Sequence, residues 1–488
     1  MFSLWAFMAS SIASSSILTG PCLTMSTWED WYFHPRPVLS ERRSEKIHQE
    51  SFGTPEENVR FSEHFALHWG NDFTPSDELL DDILDVFELT WQVEIEVLGM
   101  TAPSHTSQYY FNVYLGSTGS NTPDDYNVSG YYYTDNEGYP MVVLGEYVQQ
   151  NWNSGKSTIP HEFFHALQHE TGQYASNPQS RWYWEASASW VENVVLPTSP
   201  YYSVFLFGYA FLPHYPLNFF DYFDSGSLEE YHAYGAFIFP QYLSDFVVDD
   251  NTVADSWLDP QATDPLLWWR GTLEDEGLDF AEVLSDFAAH NAFWDYPHQT
   301  WYEGYLGQYE GTFEREAEPI ARSIPSSGTS GWWGPPTDLR PGQYGVNILE
   351  WNAPTLSAAR IAFDGALVGD AFSDVNWKVQ VIQSKVDGSL LYWPIDIVDA
   401  VGELDLLDLQ STDQIRISVM ADAIDANSTE VFDYEFSVGS IPDEDQNPIE
   451  EEKPMTCQSA TISQMMGLNF LGYLMWYCYS MPRRLRFR

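Results

Sequence analysis

The chain has 488 residues, with 20 Lys and Arg against 71 Asp and Glu, a formal charge of −51. Such a surface repels phosphates, which argues strongly against nucleic acid as a partner. Hydrophobic residues make up 44% of the chain and aromatic ones 16%, so the acidity clothes a folded body with a large core, and it suits salty surroundings that screen like charges.

Residues 1–24 contain no Asp, Glu, Lys or Arg. They read as a signal peptide without the usual basic start; translation from Met25 is the alternative. Residues 25–57 are polar and read as a linker or a pro-segment. The three cysteines are Cys22, Cys457 and Cys478. The long middle of the chain therefore holds neither a disulfide nor a thiolate metal site.

From residue 58 the pattern changes. Val59 to Trp69 predicts a strand, and Asp77 to Leu98 an amphipathic helix with Leu80, Ile83, Leu84, Phe87 and Trp91 on one side. Tyr109 to Leu115 predicts a second strand. A third runs from Tyr139 to Leu144, after a turn at Asp135 to Gly138. Met141 to Leu144 is either an edge strand able to pair with an extended peptide or an ordinary central strand. Ser157 or Thr158 caps the next helix, and Pro160 suits its first turn.

That helix carries His161, Glu162 and His165, an H-E-x-x-H sequence. The two histidines lie one turn apart on one face, so both imidazoles can reach one ion. Glu185 follows on a helix of its own, Trp182 to Val195. Two imidazole nitrogens and a carboxylate oxygen make a donor set for zinc, with the fourth position left to water. Glu162, one residue along, is placed to touch that water as a general base. No convincing fourth protein ligand appears, which favours a catalytic over a structural site. His169 reads as a residue of the site's surroundings or of the surface. Tyr231, His232 and Tyr234 are candidate donors to a developing oxyanion, and each also reads as core packing.

The pattern stays mainly helical to about residue 300, including Tyr234 to Leu243 and Phe280 to Phe293. Asp124, Asp125 and Asp135 raise the possibility of calcium, but their spacing matches no known loop. Asn127 and Asn427 head glycosylation triplets, of consequence only in an exported protein. Residues 324–340 are rich in Ser, Gly and Pro and mark a linker. Six short β-like runs follow, at Tyr344 to Trp351, Ala359 to Phe363, Trp377 to Ile382, Leu390 to Ile397, Gln414 to Met420 and Val431 to Val438. They predict a β-sandwich over 341–440. Residues 441–461 form an acidic tether. Residues 462–481 are uncharged and mostly apolar, and residues 482–488 contain four arginines. These read as a transmembrane or sorting helix with a basic cytoplasmic tail, the alternative being a buried C-terminal helix.

The residues also carry a resemblance. His161, Glu162 and His165, with Trp184, Glu185, Ala186, Ala188, Trp190 and Glu192 on the second helix, resemble the gluzincin metallopeptidases. The separation of Glu185 from the histidines matches the thermolysin group, and the small residues after it are closer to the aminopeptidase N group. The resemblance is specific over about 35 residues and extends loosely over 58–300. It implies His161, His165 and Glu185 as zinc ligands and Glu162 as general base. Three departures qualify it. Gln168 and Thr171 stand where the metzincin pattern needs glycine and histidine. The Gly-x-Met-Glu-Asn motif that holds a substrate amine in aminopeptidases is absent before His161, which favours an endopeptidase. Ser189 occupies the place of the aspartate that orients a histidine in thermolysin relatives, so Ser189 or Glu192 takes that part.

The expected fold is α+β. A zincin-like catalytic domain over 58–323, with a mixed sheet, the motif helix and a helical subdomain, precedes the β-sandwich and a C-terminal transmembrane helix. The expected function is zinc-dependent hydrolysis of peptide bonds in a protein or peptide substrate. The expected place is the outer face of the cell, with the chain anchored C-terminally or secreted after processing. Two alternatives stand beside it: a surface binding or adhesion protein with a structural or inactive zinc site, and a zinc hydrolase of non-peptide amides or esters.

Overall fold

In a computed structural model of the chain, the described residues are 20–22, 52–135, 138–222, 225–309, 322–323, 331–351, 356–366, 375–423 and 430–441. The first layer is a six-stranded sheet built from β1 (Gly20–Cys22), β2 (Val59–Phe61), β3 (Phe65–His68), β4 (Phe111–Leu115), β5 (Val128–Thr134) and β6 (Pro140–Leu144), in the order β1-β5-β6-β4-β3-β2. Strands β3, β4 and β6 run parallel. They are buried along almost their whole length, as parallel strands covered on both faces must be. Strand β5 runs antiparallel to β6, and β1 pairs in parallel with its outer edge.

Helix α1 (Asp77–Trp91) is capped by the Ser76 hydroxyl, which accepts from Leu79 N. It ends in a π-helical turn, Gln92–Val97. Helix α2 (Thr158–Thr171) carries the H-E-x-x-H residues, and α3 (Arg181–Val195) packs beside it. The sheet and these helices share one aromatic core. Phe65 of β3 has its ring centroid 4.9 Å from Phe87 of α1 and 5.3 Å from Phe163 of α2. Each such ring contributes about 1.5–3 kcal/mol by leaving water, so the motif helix is fastened from its apolar side. Beyond it lie short helical turns, α4 (His232–Gly235) and the longer α5 (Phe280–Phe293).

The second layer system is a sandwich. Its larger sheet contains β7 (Arg322–Ser323), β8 (Val346–Trp351), β10 (Asn376–Ser384), β11 (Leu390–Ile395) and β13 (Gln414–Asp422), in the order β11-β10-β13-β8-β7. Its smaller sheet contains β9 (Ala359–Asp364), β12 (Val401–Leu406) and β14 (Glu435–Gly439), with β9 in the middle. Leu349, Val379 and Ile417 of one sheet and Ile361, Phe363 and Phe436 of the other share one core. The outer face of the larger sheet seats α5. Gln380 Nε2 donates to Ser285 Oγ at 3.0 Å and to Asp286 Oδ1 at 2.7 Å, and Arg416 Nη1 donates to the Ala292 carbonyl at 2.5 Å.

Several expectations need correction. The described chain is α+β with mixed sheets, but the C-terminal transmembrane helix is withdrawn. No described helix is long and apolar enough to cross a membrane, and segment 462–481 lies outside the described residues, as do the tether from 442 and the basic tail. Residues 1–19 and 23–51, on which most of the signal-peptide and pro-segment readings fall, also lie outside them. Val59 to Trp69 is two strands, because the chain reverses at residues 62–64, where Phe65 N donates to Ser62 Oγ. Met141 to Leu144 is central, flanked by β4 and by β5, a strand that sequence reading left out; the edges are β1 and β2. Neither Ser157 nor Thr158 makes a side-chain cap; the Ser157 hydroxyl donates to the Ser154 carbonyl instead. Strand β12 was also not anticipated, since its Val-Gly-Glu-Leu-Asp-Leu alternates weakly and is half exposed.

Candidate metal centre

Helix α2 is buried from Ile159 to Gln168, and α3 from Trp182 to Asn193. Buried polar residues in these helices therefore face one another rather than water. His161 and His165 come from one turn of α2, their rings edge to face at 4.8 Å between centroids. Glu185 comes from α3 and is wholly buried. One ligand atom from each of the three lies within 4.8 Å of the others. His161 Nε2 is 3.2 Å from Glu185 Oε2, and His165 Nε2 is 3.5 Å from the same oxygen.

The far nitrogens explain why these atoms converge. His161 Nδ1 lies 3.0 Å from Glu192 Oε1, a carboxylate oxygen and hence an acceptor. His165 Nδ1 lies 2.7 Å from Gln168 Oε1. The orientation of that amide follows from its other end: Gln168 Nε2 donates to the Trp184 carbonyl and to Ser187 Oγ, both at 3.0 Å. Ser187 Oγ in turn donates to the Tyr183 carbonyl at 2.5 Å and accepts from Trp257 Nε1 at 3.2 Å. Both imidazoles therefore carry their proton on Nδ1 when neutral, and turn an Nε2 lone pair toward Glu185. Two nitrogen lone pairs and a carboxylate oxygen gathered this closely repel unless a cation lies among them. In addition, Glu185 Oε1 is buried with no hydrogen-bond partner among the described residues. The donor set, N, N and O, fits zinc, and the outer partners of both rings are of the kind that orients metal-bound histidines.

In the metal-free site burial alone would push the Glu185 carboxyl up, but His165 and His161, when they bear protons on both nitrogens, hold it down, at about 2. Glu192 goes the other way: burial raises it, and the His161 contact offsets only part of the rise.

Glu162 is wholly buried beside the ligands. Its Cγ lies 3.1 Å from where a Cβ on Gly130 would stand, and Thr158 Cγ2 only 2.6 Å. Glycine at 130 thus lets strand β5 lie directly on α2, beside the candidate base. Tyr234 stacks on His161, with ring centroids 6.1 Å apart and planes at 14°. The other two oxyanion candidates are placed differently. Tyr231 packs on Phe205 and Phe207. His232 is ringed by Tyr209, Tyr215 and Phe219, and burial pushes it down to about 3, so it is neutral at ordinary pH. His169 is not a ligand; its Nδ1 meets the Tyr132 hydroxyl of β5 at 2.6 Å. Asp125 is a loop clamp, accepting from Ser117 Oγ, Asn127 N and Glu146 N, and among the described residues the His161, His165 and Glu185 trio is the one group arranged to hold a metal. Ser189 does not orient a histidine; its hydroxyl has no partner among the described residues, and Glu192 takes that part.

Sequence reading did not single out Gln168 as the partner of His165 or Gly130 as the seat of β5. Gln168 carried a usable signal, since a polar residue three positions after His165 shares its helix face. Gly130 carried none, because its neighbours come from remote segments.

No curated protein matches the chain. A family model matches residues 32–398, which takes in the whole metal centre and the sandwich as far as β11. The chain belongs to that family, DUF6055, a family of unknown function.

Proposed function

We propose that the protein is a zinc-dependent peptidase of gluzincin type, cleaving internal peptide bonds. The observation that carries the reading is the convergence of two imidazole lone pairs and the Glu185 carboxylate, with the Glu162 carboxylate one residue from His161. His161, His165 and Glu185 would hold the cation. When bound, zinc supplies Lewis acidity, which brings the pKa of a coordinated water toward neutrality.

The chain's own groups do the rest. Glu192 and Gln168 hold the two imidazoles in the ligating tautomer. Glu162 accepts a proton from the attacking water and passes it to the leaving nitrogen. Tyr234 would donate to negative charge developing on the scissile carbonyl oxygen, a choice supported by its ring's stacking on His161. The buried walls of α2 and α3 exclude bulk water and so strengthen each of these interactions.

The test compares the full chain with its Glu162→Gln variant for zinc content and casein cleavage. The reading expects one zinc per chain in both and cleavage by the parent alone. Equal cleavage by the two proteins would remove Glu162 as the base, and a folded parent without zinc would remove the ligand assignment.

A further inference from the structure

We propose that Glu94 belongs to the metal centre, as an acid that supplies negative charge to a cation held by His161, His165 and Glu185. The inference rests on the metal-centre reading above. Glu94 lies in the π-helical turn Gln92–Val97 that ends α1 and packs against α3. Such turns occur frequently at functional sites. The residue has no exposed surface, and neither of its carboxyl oxygens has a hydrogen-bond partner among the described residues. Its backbone carbonyl accepts from Met100 N at 3.1 Å.

An unpaired buried carboxyl is among the costliest groups a core can hold. Phe87 and Trp91, seven and three positions earlier, are apolar and buried, so packing alone calls for an apolar side chain at 94. His161 and His165 are the groups that act on Glu94 across the core, but burial outweighs them and holds its carboxyl well above the ordinary carboxylate range in the metal-free site.

The wider balance of charge points the same way. Glu94, Glu162, Glu185 and Glu192 are all buried, while among the described residues no Lys or Arg is. A dication supplies the positive charge that no side chain here provides. Glu94 is not one of the trio whose ligand atoms gather within 4.8 Å, so its part is electrostatic and not coordination.

The experiment uses the full chain and two variants, Glu94→Gln, which keeps the shape, and Glu94→Met, which replaces the acid with an apolar chain of similar length. Zinc affinity is read by competition with a chromophoric chelator, and the melting temperature is read on metal-free protein. A charge-supplying role lowers zinc affinity by roughly tenfold or more in both variants. It also raises the metal-free melting temperature of Glu94→Met by about 2 °C or more, because the desolvation cost has gone. Affinities within about twofold of the parent in both variants, or a lower metal-free melting temperature in both, would overturn the inference and leave Glu94 a packing residue. A parent that takes up no zinc would overturn the metal centre and this role together.

Discussion

Glu192 is the sharpest handle on the proposed metal centre, because one contact ties it to His161, a candidate ligand. Its Oε1 lies 3.0 Å from His161 Nδ1, and both residues are buried. A hydrogen bond of that kind to a charged group contributes about 1.5–3 kcal/mol. Glu192→Gln keeps an acceptor in place and loses the charge, which removes roughly half, on the order of 1 kcal/mol and fivefold to tenfold in zinc affinity. Glu192→Ala also strands the Nδ1 proton in the core, at about 2–3 kcal/mol, or roughly 30- to 100-fold. The metal-free fold should change little in Glu192→Gln, because burial already works against this carboxylate. The assay is chelator competition on the three proteins, beside their metal-free melting curves. Equal zinc affinities in all three, or a Gln variant weaker than the Ala variant, would refute the claim that Glu192 acts by holding the imidazole.

Three further outcomes follow from other contacts. Gly130→Ala places a methyl 2.6 Å from Thr158 Cγ2 and 3.1 Å from both Glu162 Cγ and the Val143 carbonyl; lifting β5 off α2 should cost about 2–3 kcal/mol, read in a denaturant titration, and an unchanged midpoint would show that the strand moves freely. Tyr234→Phe keeps the ring stacked on His161 and removes the hydroxyl, so peptidase turnover should fall roughly 100-fold with zinc content unchanged; full turnover would leave Tyr234 a packing residue. At His64, burial would raise Glu88, but hydrogen bonds from the His64 ring, Ser62 and His64 N, with the His64 charge, hold it below its ordinary 4.5. A carboxyl depressed in the folded state stabilises above its unfolded value. The stability gap between the parent and Glu88→Gln should therefore be complete above about pH 4.5 and close as the pH falls through the folded value; a gap that widens in acid would contradict that sign.

The sequence alone determined what rests on local periodicity and donor chemistry. The spacing of His161 and His165 puts both on one face of any helix, and the helices Arg181–Val195 and Phe280–Phe293 follow from their apolar pattern almost to the residue. The short β-runs after residue 340 showed a sandwich because strand periodicity survives within six residues. Tertiary structure alone decided what depends on segments remote in the chain. Glu192 rather than Ser189 holds His161, because the turn of α3 carries residue 192 past Nδ1. Tyr234 rather than His232 lies on His161, though the two stand two residues apart on one short turn. Strand β5 escaped sequence reading because Val128 to Thr134 carries a glycine and three tyrosines in a row, without a clean alternation, and pairs with β6 across a turn. Glu94 was invisible for the same reason: one acid in an amphipathic helix reads as solvated until the fold shows that no water reaches it.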